Sequence, residues 1–224
     1  MRKLFLLLVL LVSLVTYAQR DVTKFLGIPV DGSKMEMIQK LKDKGFIYDK
    51  AKDVLTGEFN DQDVIISVVT KNNKVSRIAV IDKNSTNEAG IKIRFNNLCG
   101  QFERNGKYLF FSDQRIPDSD DISFEMSVRS KRYEAIFYKK QETYDKDYIK
   151  SELNKRLLGK YSDEELANPI TETAKEEIEN ATKEIALDLI SKCPVWFMID
   201  EKYGDYKILL YYDNEYNKSD GADL

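Results

Sequence analysis

Val64-Ile65-Ile66-Ser67-Val68-Val69-Thr70-Lys71-Asn72-Asn73-Lys74-Val75-Ser76-Arg77-Ile78-Ala79-Val80-Ile81 decides the fold. Two runs rich in β-branched residues, Val64 to Thr70 and Val75 to Ile81, flank a four-residue link of turn-forming type. A link that short returns the chain beside itself, so the two runs read as an antiparallel hairpin. Ile65, Ser67 and Val69 alternate with Ile66, Val68 and Thr70. That strand is apolar on both faces and belongs near the middle of a sheet.

Working outward, Leu55 to Phe59 precedes the hairpin across Asn60-Asp61-Gln62, which makes a three-stranded meander. Ser33-Lys34-Met35-Glu36 before it is a capping box, and Met35, Ile38 and Leu41 form one helical face that Gly45 ends. After it, Ser85-Thr86-Asn87-Glu88 reads as a second box. Ile91, Phe95, Leu98, Cys99 and Phe102 follow at the spacing of one stripe. Tyr108 to Phe111 reads as a short strand. Ile122, Phe124, Met126 and Val128 alternate with Ser123, Glu125 and Ser127, which predicts a strand paired with Tyr133 to Tyr138.

Tyr148 to Leu158 predicts a helix, and Ser162-Asp163-Glu164-Glu165 is a third capping box. A long polar helix runs from Thr171, with a narrow stripe of Ala174, Ile178, Ala181, Ile185 and Leu189, until Pro194. Val195 to Ile199 and Tyr206 to Tyr212 form a final hairpin. Strands that arrive as hairpins favour an α+β fold with antiparallel sheets and helices packed on one side. Helix followed by meander occurs from Ser33 and again from Ser85, which suggests a weak internal duplication. The expectation is one α+β domain over 19–224. Its best internal boundary is the polar stretch 141–147.

The amino terminus carries an export signal. Arg2 and Lys3 precede an apolar run from Leu4 to Val15, and Thr16-Tyr17-Ala18 offers small residues at a cleavage site before Gln19. A bilayer needs about 20 apolar residues of helix, more than this run provides, and no later stretch is long or apolar enough to span. The expected product is therefore a signal peptide over 1–18 and an exported chain, periplasmic or extracellular, with no membrane span.

Without Arg2 and Lys3, 33 basic residues face 38 acidic ones, a net charge of −5, and the two signs are interspersed. That argues against a nucleic-acid partner. Histidine is absent, which excludes Ser-His-Asp and Cys-His catalysis and histidine-ligated metals. Glycine-rich phosphate loops, Cys-x-x-Cys and Gly-x-Ser-x-Gly are absent too. No catalytic residue, cofactor or metal is therefore assigned.

Cys99 and Cys193 are a candidate disulfide; the alternative is two buried thiols. Asp118, Asp120, Asp121 and Glu125 lack the glycine of a calcium loop and read as a solvated turn, and Asp213, Glu215, Asn217 and Ser219 carry Lys218 at that glycine position. Trp196, Tyr203, Tyr206, Tyr211, Tyr212 and Tyr216 crowd the last hairpin, a candidate surface for a protein partner or a glycan. The leading reading is a non-enzymatic binding or envelope-accessory module. The alternative is a carbohydrate-binding or carbohydrate-cleaving protein.

Ala18-Gln19, Phe25-Leu26-Gly27-Ile28-Pro29-Val30-Asp31-Gly32, Ile91-Lys92-Ile93-Arg94-Phe95-Asn96-Asn97-Leu98-Cys99 and Tyr211-Tyr212-Asp213-Asn214 resemble a family of uncharacterised exported proteins of Bacteroidales-type bacteria. The resemblance implies a host with an outer membrane and brings no activity with it. The element order is also similar to small modules of β-lactamase-inhibitor-like and outer-membrane-assembly accessory proteins, a likeness of order alone.

Overall fold

Asn72 and Asn73 both hold positive φ, 50° and 61°, and turn strand β5 (Gln62–Lys71) into β6 (Lys74–Asp82) within two residues. Such a turn matches the right-handed twist of the strands it joins. The same device recurs at Asn60-Asp61, after β4 (Val54–Phe59), and at Tyr203-Gly204, between β9 (Pro194–Lys202) and β10 (Asp205–Asp213).

The computed structural model describes residues 21–142 and 145–218. The signal peptide expected over 1–18, together with Gln19, Ser219 and the Gly221–Leu224 end, lies outside the described residues. Lys24–Phe25 and Ile28–Pro29 (β1 and β2) pair as a small hairpin, where the sequence suggested a plain extended lead-in. The short strands β3 (Ile47–Asp49) and β7 (Tyr108–Leu109), with β8 (Glu134–Lys139), complete an eight-stranded sheet. Its order is β3-β4-β5-β6-β10-β9-β8-β7, antiparallel throughout.

That order is two four-stranded meanders, β3 to β6 and β7 to β10, joined through their last strands. Each meander follows a helix: α1 (Lys34–Asp43) the first, α2 (Glu88–Arg104) the second. The duplication suggested by the sequence is thus present in the topology. Between β7 and β8 lies α3 (Ile122–Ser127), and between β8 and β9 lie α4 (Lys146–Arg156), α5 (Asp163–Ala167) and α6 (Glu172–Ser191).

Alternation along each strand sends Ile66, Ile78, Leu210, Phe197 and Phe137 to one face of the sheet. There they are buried with Ile38 and Leu41 of α1 and with Phe95, Leu98 and Phe102 of α2. Phe102 stacks on Phe137 at 4.8 Å between ring centres, and Phe95 meets Phe197 edge-on at 4.9 Å. Each such ring contributes roughly 2–3 kcal/mol by leaving water. In α1 it is Met37, not Met35, that joins the core; Met35 is 70% exposed. β5 is apolar on both faces, as read, but only one is covered: Val64, Ile66 and Val68 are buried while Val69 is 42% exposed.

The segment from Ile122 is a helix, not the strand its alternation predicted. The Asp121 side chain caps it by accepting from Phe124 N–H, and the Ser127 hydroxyl donates back to Ser123 C=O. Only Ile122 is buried, while Phe124 and Val128 are exposed, so no second face needed an alternating pattern. β8 therefore pairs with β9 and β7.

The second capping box is also corrected. Asn87, not Ser85, caps α2 by accepting from Gly90 N–H, and Glu88 accepts instead from Ile122 N–H. The boxes at Ser33 and Ser162 are both closed.

The chain divides into two compact units. One is Val22–Lys140 with Ala186–Leu224, which carries the sheet; the other holds Gln141–Ile185 and Asp21. After Val22 the chain passes between them twice, at Lys140/Gln141 and, inside α6, at Ile185/Ala186. Within the helical unit Leu153, Ala174, Ile178, Ala181 and Ile185 are buried, and Lys160 and Tyr161 both donate to Glu177. Among the described residues no helix is long and apolar enough to cross a membrane.

Candidate functional site

The sheet face opposite α1 and α2 carries the aromatic side chains that the sequence singled out, in part. Cross-strand register lines up Ser67, Ala79, Tyr211, Trp196 and Ile136 in one row across β5, β6, β10, β9 and β8. The next row is Ile65, Ile81, Leu209, Met198 and Glu134. Most of this outer face is half-buried to exposed: Ile136 is 39% exposed and Trp196 and Tyr211 are half-buried, while the small Ala79 between them and β5 is buried.

Trp196 and Tyr211 stack at 4.4 Å between ring centres. The Arg77 guanidinium lies 4.6 Å from the Tyr211 ring centre and 5.5 Å from that of Trp196. A cation over aromatic faces is attracted by their quadrupoles. Arg77 is also fixed in plane: its Nε donates to Asp213 Oδ1 at 2.6 Å and its Nη2 to Oδ2 at 2.8 Å. The two residues face each other because Asp213 pairs with Arg77 in the β10–β6 register.

Asp213 is fully buried and collects further donors on Oδ2, Trp196 Nε1 at 3.0 Å and Lys218 Nζ at 3.0 Å. Burial alone would raise its pKa, but the hydrogen bonds from Arg77, Trp196 and Lys218 outweigh that and hold the carboxyl below its ordinary value. Its backbone C=O accepts from the Thr23 hydroxyl. The next residue, Asn214, is fully buried too and donates to Val30 C=O at 2.8 Å. The end of β10 is thus pinned to the amino-terminal hairpin, and the aromatic pair sits on a fixed base.

Beside Trp196 the outer face opens into a concavity of about 620 Å³ lined by Gln114, Arg132, Glu134 and Ile136 as well as Arg77 and Lys218. Gln114 donates to Ile136 C=O and accepts from Ile136 N–H, and so stands in for a neighbouring strand along that stretch of β8. Every lysine or arginine here has an acidic partner: Arg77 and Lys218 hold Asp213, and Arg132 meets Glu134 at 3.2 Å. The face is therefore aromatic and close to neutral, which suits burial against another surface better than attraction of an ion.

The structure divides the six candidate aromatics. Trp196 and Tyr211 share the outer face. Tyr206 and Tyr212 point to the core side, 2% and 6% exposed, because their positions have the opposite parity along β10. Tyr203 stands at the tip of the β9–β10 turn, 94% exposed, and Tyr216 lies in the 3₁₀ turn Glu215–Asn217. Sequence reasoning missed Arg77 altogether. Its signal was a lone cation inside the apolar run Val75 to Ile81, a place that calls for a carboxylate across the ladder.

The candidate disulfide is not formed. Cys99 is buried in the main core on the sheet-facing stripe of α2, whereas Cys193 is buried outside that core, between α6 and β9. Of the acids of the Asp118–Glu125 loop, three are engaged by the protein itself, and Asp118 is exposed. Asp120 accepts from Lys131 and Tyr133, Asp121 caps α3, and Glu125 pairs with Arg129. Among the described residues no group of three or more acids and cysteines is placed to hold a metal ion.

Fold and site together define an α+β protein whose antiparallel sheet is covered by helices on one face and bears an aromatic patch on the other. Comparison with protein-family models, curated proteins and solved structures gives no match to this chain.

Proposed function

We propose that the chain is an exported, non-enzymatic binding module that takes a protein partner on the outer face of its sheet. The observation that carries this reading is the Trp196–Tyr211 stack under Arg77, held on a buried carboxylate and left half-buried with Ile136 and Met198 around it. Tryptophan, tyrosine and arginine are the residues on which protein–protein binding energy concentrates. A pre-ordered patch also avoids much of the entropy lost when loose side chains are fixed on binding.

The test is affinity capture of tagged protein after mild cross-linking of the native host's envelope, run in parallel with Trp196→Ala. The reading expects one stoichiometric partner that the wild type retains and the variant loses. Capture of the same proteins by both would contradict it. Export is tested on the same material: sequencing of the amino terminus should begin at Gln19.

A glycan is the second reading, supported by one feature: Trp196 borders a concavity whose Gln114, Glu134 and Arg132 could hydrogen-bond hydroxyls. A glycan array with no hit, or with hits unchanged in Trp196→Ala, removes it.

A further inference from the structure

A second cleft lies on the helix-covered side of the sheet, away from Trp196, where the β4–β5 turn meets α2. It has two chambers. The larger, about 430 Å³, falls in the size range of small-molecule sites and is lined largely by carboxamides, among them Asn84, Asn97 and Gln101. Its one cation, Arg94, already binds Asp82 through both oxygens at 2.6 and 2.7 Å. A charged guest would therefore find no free counter-charge of the positive kind and only the exposed Asp61 of the negative.

The smaller chamber, about 150 Å³, is walled by the rings of Phe59, Phe102, Tyr108 and Tyr212 and has no charged residue in its lining. A cavity of that size accepts one benzene-sized ring. Tyr212 is only 6% exposed, yet its hydroxyl bonds to no other described residue. Since no fully enclosed side-chain oxygen among the described residues lacks a partner, that hydroxyl opens on the chamber. Asn60, Leu98 and Gln101 border both chambers, and a 3.0 Å hydrogen bond from Asn60 Nδ2 to Gln101 Oε1 forms the partition.

We propose that this cleft binds a small uncharged amphiphile, its flat apolar ring in the aromatic chamber and its hydroxyl- or amide-bearing head among the carboxamides. Planar amides donate and accept together, as such heads require, and the partition bond lies at the exposed side of the cleft where two side chains can part.

The test is ligand-observed NMR titration of the purified protein with phenyl β-D-glucopyranoside and with N-phenylacetamide, which separate a hydroxyl head from an amide head. Phenol, methyl β-D-glucopyranoside and acetamide serve as fragments. At least one amphiphile should bind about tenfold more tightly than either of its fragments. Asn97→Ala, at an exposed helix position that lines the larger chamber alone, should weaken that amphiphile several-fold and leave phenol unchanged, while Trp196→Ala should change neither. The proposal is overturned if no amphiphile binds, if phenol alone binds as tightly, or if Trp196→Ala removes the binding.

Discussion

Arg77 and Asp213 meet as a two-point ion pair across neighbouring strands, 136 residues apart in sequence, with the carboxylate fully buried and the guanidinium lying over Tyr211. Removal of one partner leaves the other desolvated without compensation. Asp213→Asn should therefore destabilise the protein by about 3 kcal/mol, at the lower end for a broken buried pair because Arg77 keeps some contact with water. Urea unfolding followed by circular dichroism measures it. An Arg77→Met/Asp213→Asn double variant should be less destabilised than the two single changes added together.

The same pair sets part of the acid limb of stability. The folded-state pKa of Asp213 is depressed, so its contribution is fully present above the ordinary carboxyl value of 3.8 and is lost as pH falls through the lower folded value. The stability gap between wild type and Asp213→Asn should be constant near neutrality and shrink below that value. Urea midpoints across a pH series check it; a gap that persists unchanged in strong acid would contradict the assignment.

The cap of α2 separates two readings of one stretch. Asn87→Ala should cost about 1 kcal/mol, because Asn87 satisfies the Gly90 N–H at the start of a helix that carries much of the core. Ser85→Ala should stay within about 0.5 kcal/mol, as expected of an exposed position outside the cap. The reverse order in a denaturant series would restore the Ser85 capping box.

The two cysteines give a chemical check. Burial pushes the Cys99 thiol up to about 12, with the nearby Glu103 carboxylate adding to the shift, and Cys193 is fully buried. Thiolate is the reactive form, so iodoacetamide at neutral pH should label neither in the folded protein. Both should be labelled after unfolding without reductant. Labelling that needs reductant would mean a disulfide.

Much of this fold was legible where local chemistry and tertiary structure agree. Ser33 and Ser162 head closed capping boxes, the Ile91-to-Phe102 stripe is buried throughout, and the asparagine turns sit where positive φ is needed. Ile122 to Val128 was misread because alternation is only a proxy for burial on one face. A six-residue helix that buries Ile122 alone needs no such pattern, and the Asp121 cap decided the matter. The site was half legible. Aromatics at 196 and 211 were visible, but strand parity, which sends Tyr206 and Tyr212 inward, depends on register. The Arg77–Asp213 pair depends on the closure of two meanders that no local signal encodes.

The most direct measurement of the central proposal is site-specific photo-cross-linking in the native host. A photoreactive residue at Ile136, on the outer face, is compared with one at Met35, 70% exposed on α1. The account predicts a discrete cross-linked adduct from Ile136 that disappears when Trp196→Ala is added, and none from Met35. Equal adducts from both positions, or an Ile136 adduct indifferent to Trp196, would contradict it.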